Sequence, residues 1–324
     1  MRNRKIGILG VALGLILNAG LNLMAQALSV STSLNNSAIS LVNNVLGEGI
    51  EASTASRTGT VYSFSDGTET FGIDSGIILD TSGRITGGND ADLAKLMDYD
   101  YGGHTSTLEF ELISTGTLLN FNYVFASREF DQPVKYNDVF GLFVSVNDGA
   151  YENIALIERN DGKEVPVTIN NLRAGVTGTE APSSFSNYPV SGRQYSLFKA
   201  TSVALNETTD GISNVFTAFK EVSVGDKVKV KFAIADVSDN KYDSYVMIEA
   251  SSLAFEAPGG RPNYYTERLY NLEPNTTYKI RLGGVDYTVT TDENGETPIV
   301  TDKYDLFGHT IQIAKVGLGQ TAQT

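Results

Sequence analysis

Asp236, Asp239 and Asp243 fall within eight positions of the stretch FAIADVSDNKYDSYVMIEA, residues 232 to 250, between two apolar runs. Carboxylates packed this closely have two chemical uses. Calcium takes roughly six to eight oxygens from Asp, Asn and backbone carbonyls, and a pair of carboxyls in unlike surroundings can act as acid and base. Asp236, Ser238, Asn240 and Asp243 have the outward spacing of a helix-loop-helix calcium loop, but Lys241 stands where that loop needs glycine and Met247 where it needs a bidentate Glu. A calcium site here therefore has to be completed from another loop. The alternative is a polar turn whose carboxylates accept hydrogen bonds from turn amides.

A second gathering of such residues lies in FASREFDQPVKYNDVFGLFV, residues 125 to 144, where Arg128, Glu129, Asp131, Asn137 and Asp138 separate two aromatic-rich runs. Two carboxyls facing across a cleft could cleave a glycosidic bond if one were raised in pKa. Arg128 next to Glu129 equally suits an ion-paired turn. If this loop meets the first, Glu129, Asp131, Asn137, Asp138, Asp236, Asp239 and Asp243 form one oxygen-rich set, and calcium would offset their mutual repulsion. Nucleophilic and zinc chemistry have little material: there are two histidines, His104 and His309, no Cys and no G-x-S-x-G elbow. His104 reads as a partly buried structural residue. Tyr99, Tyr101, Tyr264 and Tyr265 sit in loops, where aromatic rings can stack on sugars.

The elements that must position these loops are mostly strands. TLEFELIS alternates at Leu108, Phe110 and Leu112, LLNFNYVF at Leu119, Phe121, Tyr123 and Phe125, and DVFGLFVSV and VKVKFAIA keep the period of two. Such alternation buries one face of a strand and wets the other, as in antiparallel sheets. The spacing of Leu34, Ala38, Leu41, Val42 and Val45 predicts a helix over 34–46, and NDADLAKLM predicts a second, capped by Asp90. The whole reads as all-β: a jelly-roll-like β-sandwich with short helices, followed by a small β-sandwich-like domain. Its 32 glycines and 31 Tyr and Phe residues suit many short strands and turns. The formal charge of -14, with no basic cluster, argues against a nucleic-acid partner.

At the N-terminus, Arg2, Arg4 and Lys5 precede an apolar run from Ile6 to Leu17, and Ala25-Gln26-Ala27 follows with small residues at the right spacing. That is the order of a cleaved signal peptide, residues 1–27, and the run is short of the about 20 residues needed to span a bilayer. No transmembrane segment is expected after cleavage. The Pro- and Gly-rich stretch 257–262 divides a main domain, 28–256, from a small β domain of about five strands, 263–317, and 318–324 reads as a flexible tail.

Several stretches, in order, resemble the choice-of-anchor L domain of bacterial surface and secreted proteins: AISLVNNVLGEGI, DSGIILDTSG, the run from STLEFELIS to VFGLFVS, VPVTINNL, DGISNVFTAF, and KVKVKFAIADVSDNKYDSYVMIEASSL. The likeness covers roughly residues 34–255. Asn137 and Asp138 match the family's N-D-x-F-G, and Asp236, Asp239 and Asp243 its closing I-A-D-x-x-D-x-x-Y-D-S. Arg128 departs from the S-E-E-Y form, which has two adjacent acids. The resemblance implies an exported cell-surface or extracellular-matrix protein that acts by binding or adhesion to a glycan, a surface or a matrix protein; the acidic loops, if they meet, add calcium as a candidate stabilising ion. The resemblance brings no established enzymatic activity to carry over. The competing reading is a polysaccharide-acting enzyme, a glycoside hydrolase or lyase with an Asp/Glu acid–base pair.

Overall fold

The computed structural model describes residues 28–31, 33–85, 87–97, 104–130, 136–158, 164–172, 198–205, 208–237, 241–256, 265–282, 285–298, 300–302 and 312–316. Two antiparallel sheets pack face to face as a β-sandwich. The first orders β1 (Ser29–Val30), β3 (Thr60–Ser65), β4 (Gly76–Asp80), β15 (Ser244–Glu249), β6 (Leu118–Ser127), β12 (Thr208–Ser213) and β11 (Phe198–Ala204), with β13 (Phe216–Glu221) and β16 (Ala254–Glu256) also on β6. The second orders β2 (Ala52–Thr58), β5 (Thr105–Ile113), β14 (Lys227–Ala235), β7 (Val139–Val146), β10 (Glu164–Thr168) and β9 (Leu156–Glu158), with β8 (Glu152–Asn153) beside β7.

The chain shuttles between the sheets. β4 and β6 belong to the first, β5 and β7 to the second, and in neither pair are the two strands hydrogen-bonded neighbours. The last long strands fill both gaps: β14 runs between β5 and β7, and β15 between β4 and β6. Phe232 of β14 lies opposite Leu108 and Leu142, and its ring meets Phe121 of the other sheet edge-on at 5.5 Å and Phe110 at 5.8 Å. These inward residues, every second position of their strands, form the sandwich core.

The expected wetting of the opposite faces holds for β5, whose Thr107, Glu109 and Glu111 alternate with buried Leu108, Phe110 and Leu112, but not for β4, β7 or β15. These strands are buried on both faces because further layers cover the sheets. Outside the first sheet, Tyr62, Ile78, Val124 and Met247 are covered by Phe71, Ile73, Leu28, Val30 and Leu34. Outside the second, Leu93 packs on Val139, Phe143 and Ala233.

The helix expected over 34–46 is α1 (Ala38–Val45), which starts later because the Ser37 side chain accepts from Ser40 N at 3.3 Å and caps it. Leu34 stays outside the helix, and its carbonyl accepts from Arg57. Two single turns are additional, α2 (Thr68–Phe71) and α4 (Ile169–Leu172). The second expected helix, α3 (Ala91–Met97), is capped by Asp90, whose Oδ1 accepts from Asp92 N and Leu93 N at 3.0 Å.

Beyond the sandwich, β17 (Tyr265–Glu267) pairs with β20 (Val300–Asp302), and β18 (Thr277–Leu282) lies between β19 (Val285–Thr290) and β21 (Gln312–Lys315). The buried Leu269, Leu272, Tyr278, Ile280 and Val289 are continuous with the sandwich core. Asn214 ties the two parts, donating to the Arg268 carbonyl at 2.6 Å and accepting from the Tyr270 hydroxyl at 2.9 Å. The stretches read as signal peptide, linker and tail lie outside the described residues.

Candidate functional site: the acidic end of the sandwich

Strand register brings the acidic loops together. Ala235, the last residue of β14, is paired with Thr105 on one side and Val139 on the other. One step further, Asp236 therefore emerges between His104 and Asp138. Asp236 N donates to the His104 carbonyl at 3.0 Å, and Val237 N donates to Asp138 Oδ1 at 2.9 Å. At the start of β15, Ser244 is paired with Ser127, and Tyr245 with both Ala126 and Asp80. Arg128 N donates to the Asp243 carbonyl at 3.1 Å, and Ser244 and Thr81 exchange two bonds, Thr81 N to Ser244 O at 3.1 Å and Ser244 N to Thr81 Oγ1 at 2.9 Å. Residues distant in sequence thus meet where the chain crosses from the centre of one sheet to the centre of the other.

Asp236 and Asp138 continue the inward-facing positions Ile234 and Phe140, which are themselves partners. Two carboxyls thereby face each other on one side of neighbouring strands, an arrangement that repels when both are charged. Asp236 is 1 % exposed and Asp138 is also buried. Among the described residues, neither Asp236 oxygen has a donor in hydrogen-bonding geometry, and His104 Nδ1 stands 3.8 Å from its Oδ2. Burial first, then the charges of Asp138 and Asp243, push the Asp236 carboxyl well above the usual carboxylate range, against the opposing pull of the nearby Thr81 hydroxyl.

His104 sits at the border with solvent. Its Nδ1 is 3.1 Å from the Thr81 carbonyl oxygen and 3.8 Å from Asp236 Oδ2. The ring occupies the space beside Gly83, which has φ 66°, and a Cβ there would fall 2.3 Å from a ring carbon.

The other expected ligands divide. Asn137 turns toward α4, its Oδ1 accepting from Asn170 N at 2.9 Å, and the Asp138 carbonyl accepts from Ile169 N at 3.3 Å. Glu129 is buried just past β6, with its N–H on Ser127 Oγ at 2.9 Å. Arg128 donates from Nε to the Thr208 carbonyl and holds its guanidinium 5.3 Å above the Tyr242 ring. Asp131 and Asp239 lie outside the described residues. Among the described residues, no three His, Asp or Glu side chains are grouped as a ready-made metal site.

One buried acid escaped sequence reasoning altogether. Asp80, at the end of β4, accepts from the Tyr62 hydroxyl at 3.0 Å, Ser82 N at 2.5 Å and Arg84 at 2.9 Å, while Arg84 lies 4.6 Å above the Tyr62 ring. Beside it, the Tyr245 hydroxyl donates to Asp243 Oδ2 at 3.3 Å. Burial first, with Asp80 adding its charge, raises both tyrosines far above their ordinary range, so they serve only as neutral donors.

The fold and this end define a class: a two-sheet antiparallel sandwich whose central strands end at the buried carboxyls of Asp138, Asp236 and Asp243. The chain belongs to the choice-of-anchor L domain family, which matches residues 22–254. That family is one of bacterial surface or secreted proteins and is not a family of enzymes. No curated protein and no solved structure matches the chain. Among the described residues, no helix is long and apolar enough to cross a membrane.

Proposed function

We propose that the chain is a cell-surface or matrix protein that acts by binding a glycan or another surface or matrix protein, and that calcium stabilises the acidic end of its sandwich. The observation that supports the calcium reading is Asp236, a buried carboxyl set opposite Asp138 and without a hydrogen-bond donor among the described residues. Two carboxylates match the charge of one calcium ion, and calcium takes its remaining oxygens from hydroxyls, carbonyls and water. Asp239, three positions on in the sequence, is a further candidate oxygen in this proposal. Extracellular calcium sites have dissociation constants of about 10⁻⁴–10⁻³ M, so a weak site would fill outside the cell.

The same geometry disfavours hydrolysis. A raised carboxyl is what a glycosidase acid needs, but it must also come within hydrogen-bond reach of the glycosidic oxygen. At 1 % exposure Asp236 offers no such approach. Melting the protein in chelator and in rising millimolar calcium tests the calcium reading. The midpoint is expected to climb with calcium concentration, as binding to the native state alone requires, and Asp236→Asn should flatten the response. Superimposable wild-type curves overturn it. Binding is tested on a glycan panel scored for both retention and reducing-sugar release, where release would favour the hydrolase.

A further inference from the structure

We infer that calcium at this end drives the closing step of folding, so that the sandwich completes itself where calcium is abundant, outside the cell. The inference rests on the calcium reading above and concerns when in folding the ion acts.

The topology supplies the timing. β4, β5, β6 and β7 precede the strands that separate them, so the pairs β4/β6 and β5/β7 gain their shared neighbours only when residues 227–249 enter. That entry joins groups far apart in the chain, as in the Thr81–Ser244 bonds, which span 163 residues. Such contacts carry the largest loop-closure cost and set the folding rate. Asp138 belongs to the waiting edge of β7, whereas Asp236 and Asp243 arrive at the two ends of the crossover. Val237 N reaches Asp138 Oδ1 only when β14 is in register. Register therefore cannot form without bringing the carboxyls of Asp236 and Asp138 together in a buried place where no described residue donates to Asp236.

A divalent ion relieves that opposition as it arises. Cytosolic sensors are tuned to calcium at about 10⁻⁷–10⁻⁵ M, too little to fill a site of extracellular affinity. Inside the cell the closing strands would insert against uncompensated charge, and outside they would insert around calcium. A slow-closing chain also suits export, because an unclosed sandwich is not a finished globule.

The test is refolding of the full chain from urea, followed by far-UV circular dichroism, in chelator and in millimolar calcium. Refolding is expected to be about tenfold faster with calcium, because an interaction already made in the transition state appears in the folding rate. Asp236→Asn, which removes the charge and keeps the shape, is expected to refold in chelator nearly as fast as the calcium-loaded wild type and to ignore calcium; Asp138→Asn serves as a second such variant. If calcium raises the melting temperature only by slowing unfolding, with refolding unchanged, this inference is overturned while the calcium site stands. If neither rate changes, both fail. The wild-type comparison decides between these outcomes even if a variant does not fold.

Discussion

Asp80 and Asp236 are the same residue type, both buried at one end of the sandwich, and their surroundings treat them oppositely. Asp80 receives a tyrosine hydroxyl, a backbone N–H and a guanidinium. Among the described residues, Asp236 receives no hydrogen bond in good geometry. Removing the first carboxylate strands its donors: Asp80→Ala is expected to cost about 3 kcal/mol, since the Tyr62 hydroxyl and Arg84 lose their acceptor in a buried place. Asp80→Asn keeps an acceptor for Tyr62 and should cost about half as much. Asp236→Asn in chelator should cost nothing or stabilise. Urea midpoints measured side by side check the ranking, and a larger loss at Asp236 than at Asp80 would refute it. The clustered aspartates were legible in the sequence because they crowd into two short stretches. Asp80 was not, since it is one acid at the end of GIILD whose partners at positions 62 and 84 are recognisable only once β3 and β4 are paired.

At the scale of an element, α3 is held to the second sheet by a lysine that the alternation of VKVKF places on the wet face. Lys231 is instead 5 % exposed. Its Nζ lies 2.8 Å from Asp90 and 2.6 Å from Asp92, with the rings of Phe143 and Tyr151 at 5.1 and 4.9 Å. Burial alone would push the lysine down, but bonds from Asp90 and Asp92 prevail and raise it. Burial likewise works against Asp92, and bonds from Lys231 and Lys95 prevail and lower it. Asp92 therefore adds stability above its unfolded pKa of about 4, which is lost as pH falls through the lower folded value. Lys231 adds stability below about 10.4, which is lost as pH rises through its higher folded value. Lys231→Met should lower stability at neutral pH by about 3 kcal/mol and make both limbs shallower. Urea melts across pH test this, and unchanged limbs would count against the pair. Asp90 as a cap was readable from sequence because capping is local. The covering of β7 and β15 on both faces was not, because a strand's own alternation says nothing of what packs on its outer side. α2 and α4, one turn each, are too short to show a helical period.

For the whole molecule, two sandwiched sheets could be inferred from repeated alternation, whereas the insertion of β14 and β15 between earlier strands could not, because pairing partners at long range leave no local mark. The same limit applies where the chain leaves the sandwich. Pro and Gly at 257–262 suggest a division, yet Leu269, Leu272 and Ile280 belong to the same buried cluster as the sandwich interior, and Asn214 bonds to both Arg268 and Tyr270. A shared core couples stabilities, since neither part can expose its side of the contact without exposing the other's. Calorimetry is therefore expected to show one transition whose measured enthalpy equals the van't Hoff value. Leu269 is fully buried, and Leu269→Ala should cost about 3 kcal/mol through lost transfer and the cavity left behind. In a coupled molecule that loss moves the whole transition, and circular dichroism dominated by the larger sheets records it. Two peaks, with only the smaller displaced by Leu269→Ala, would mean that the C-terminal strands melt on their own and that the continuity of the core contributes little to holding the two parts together.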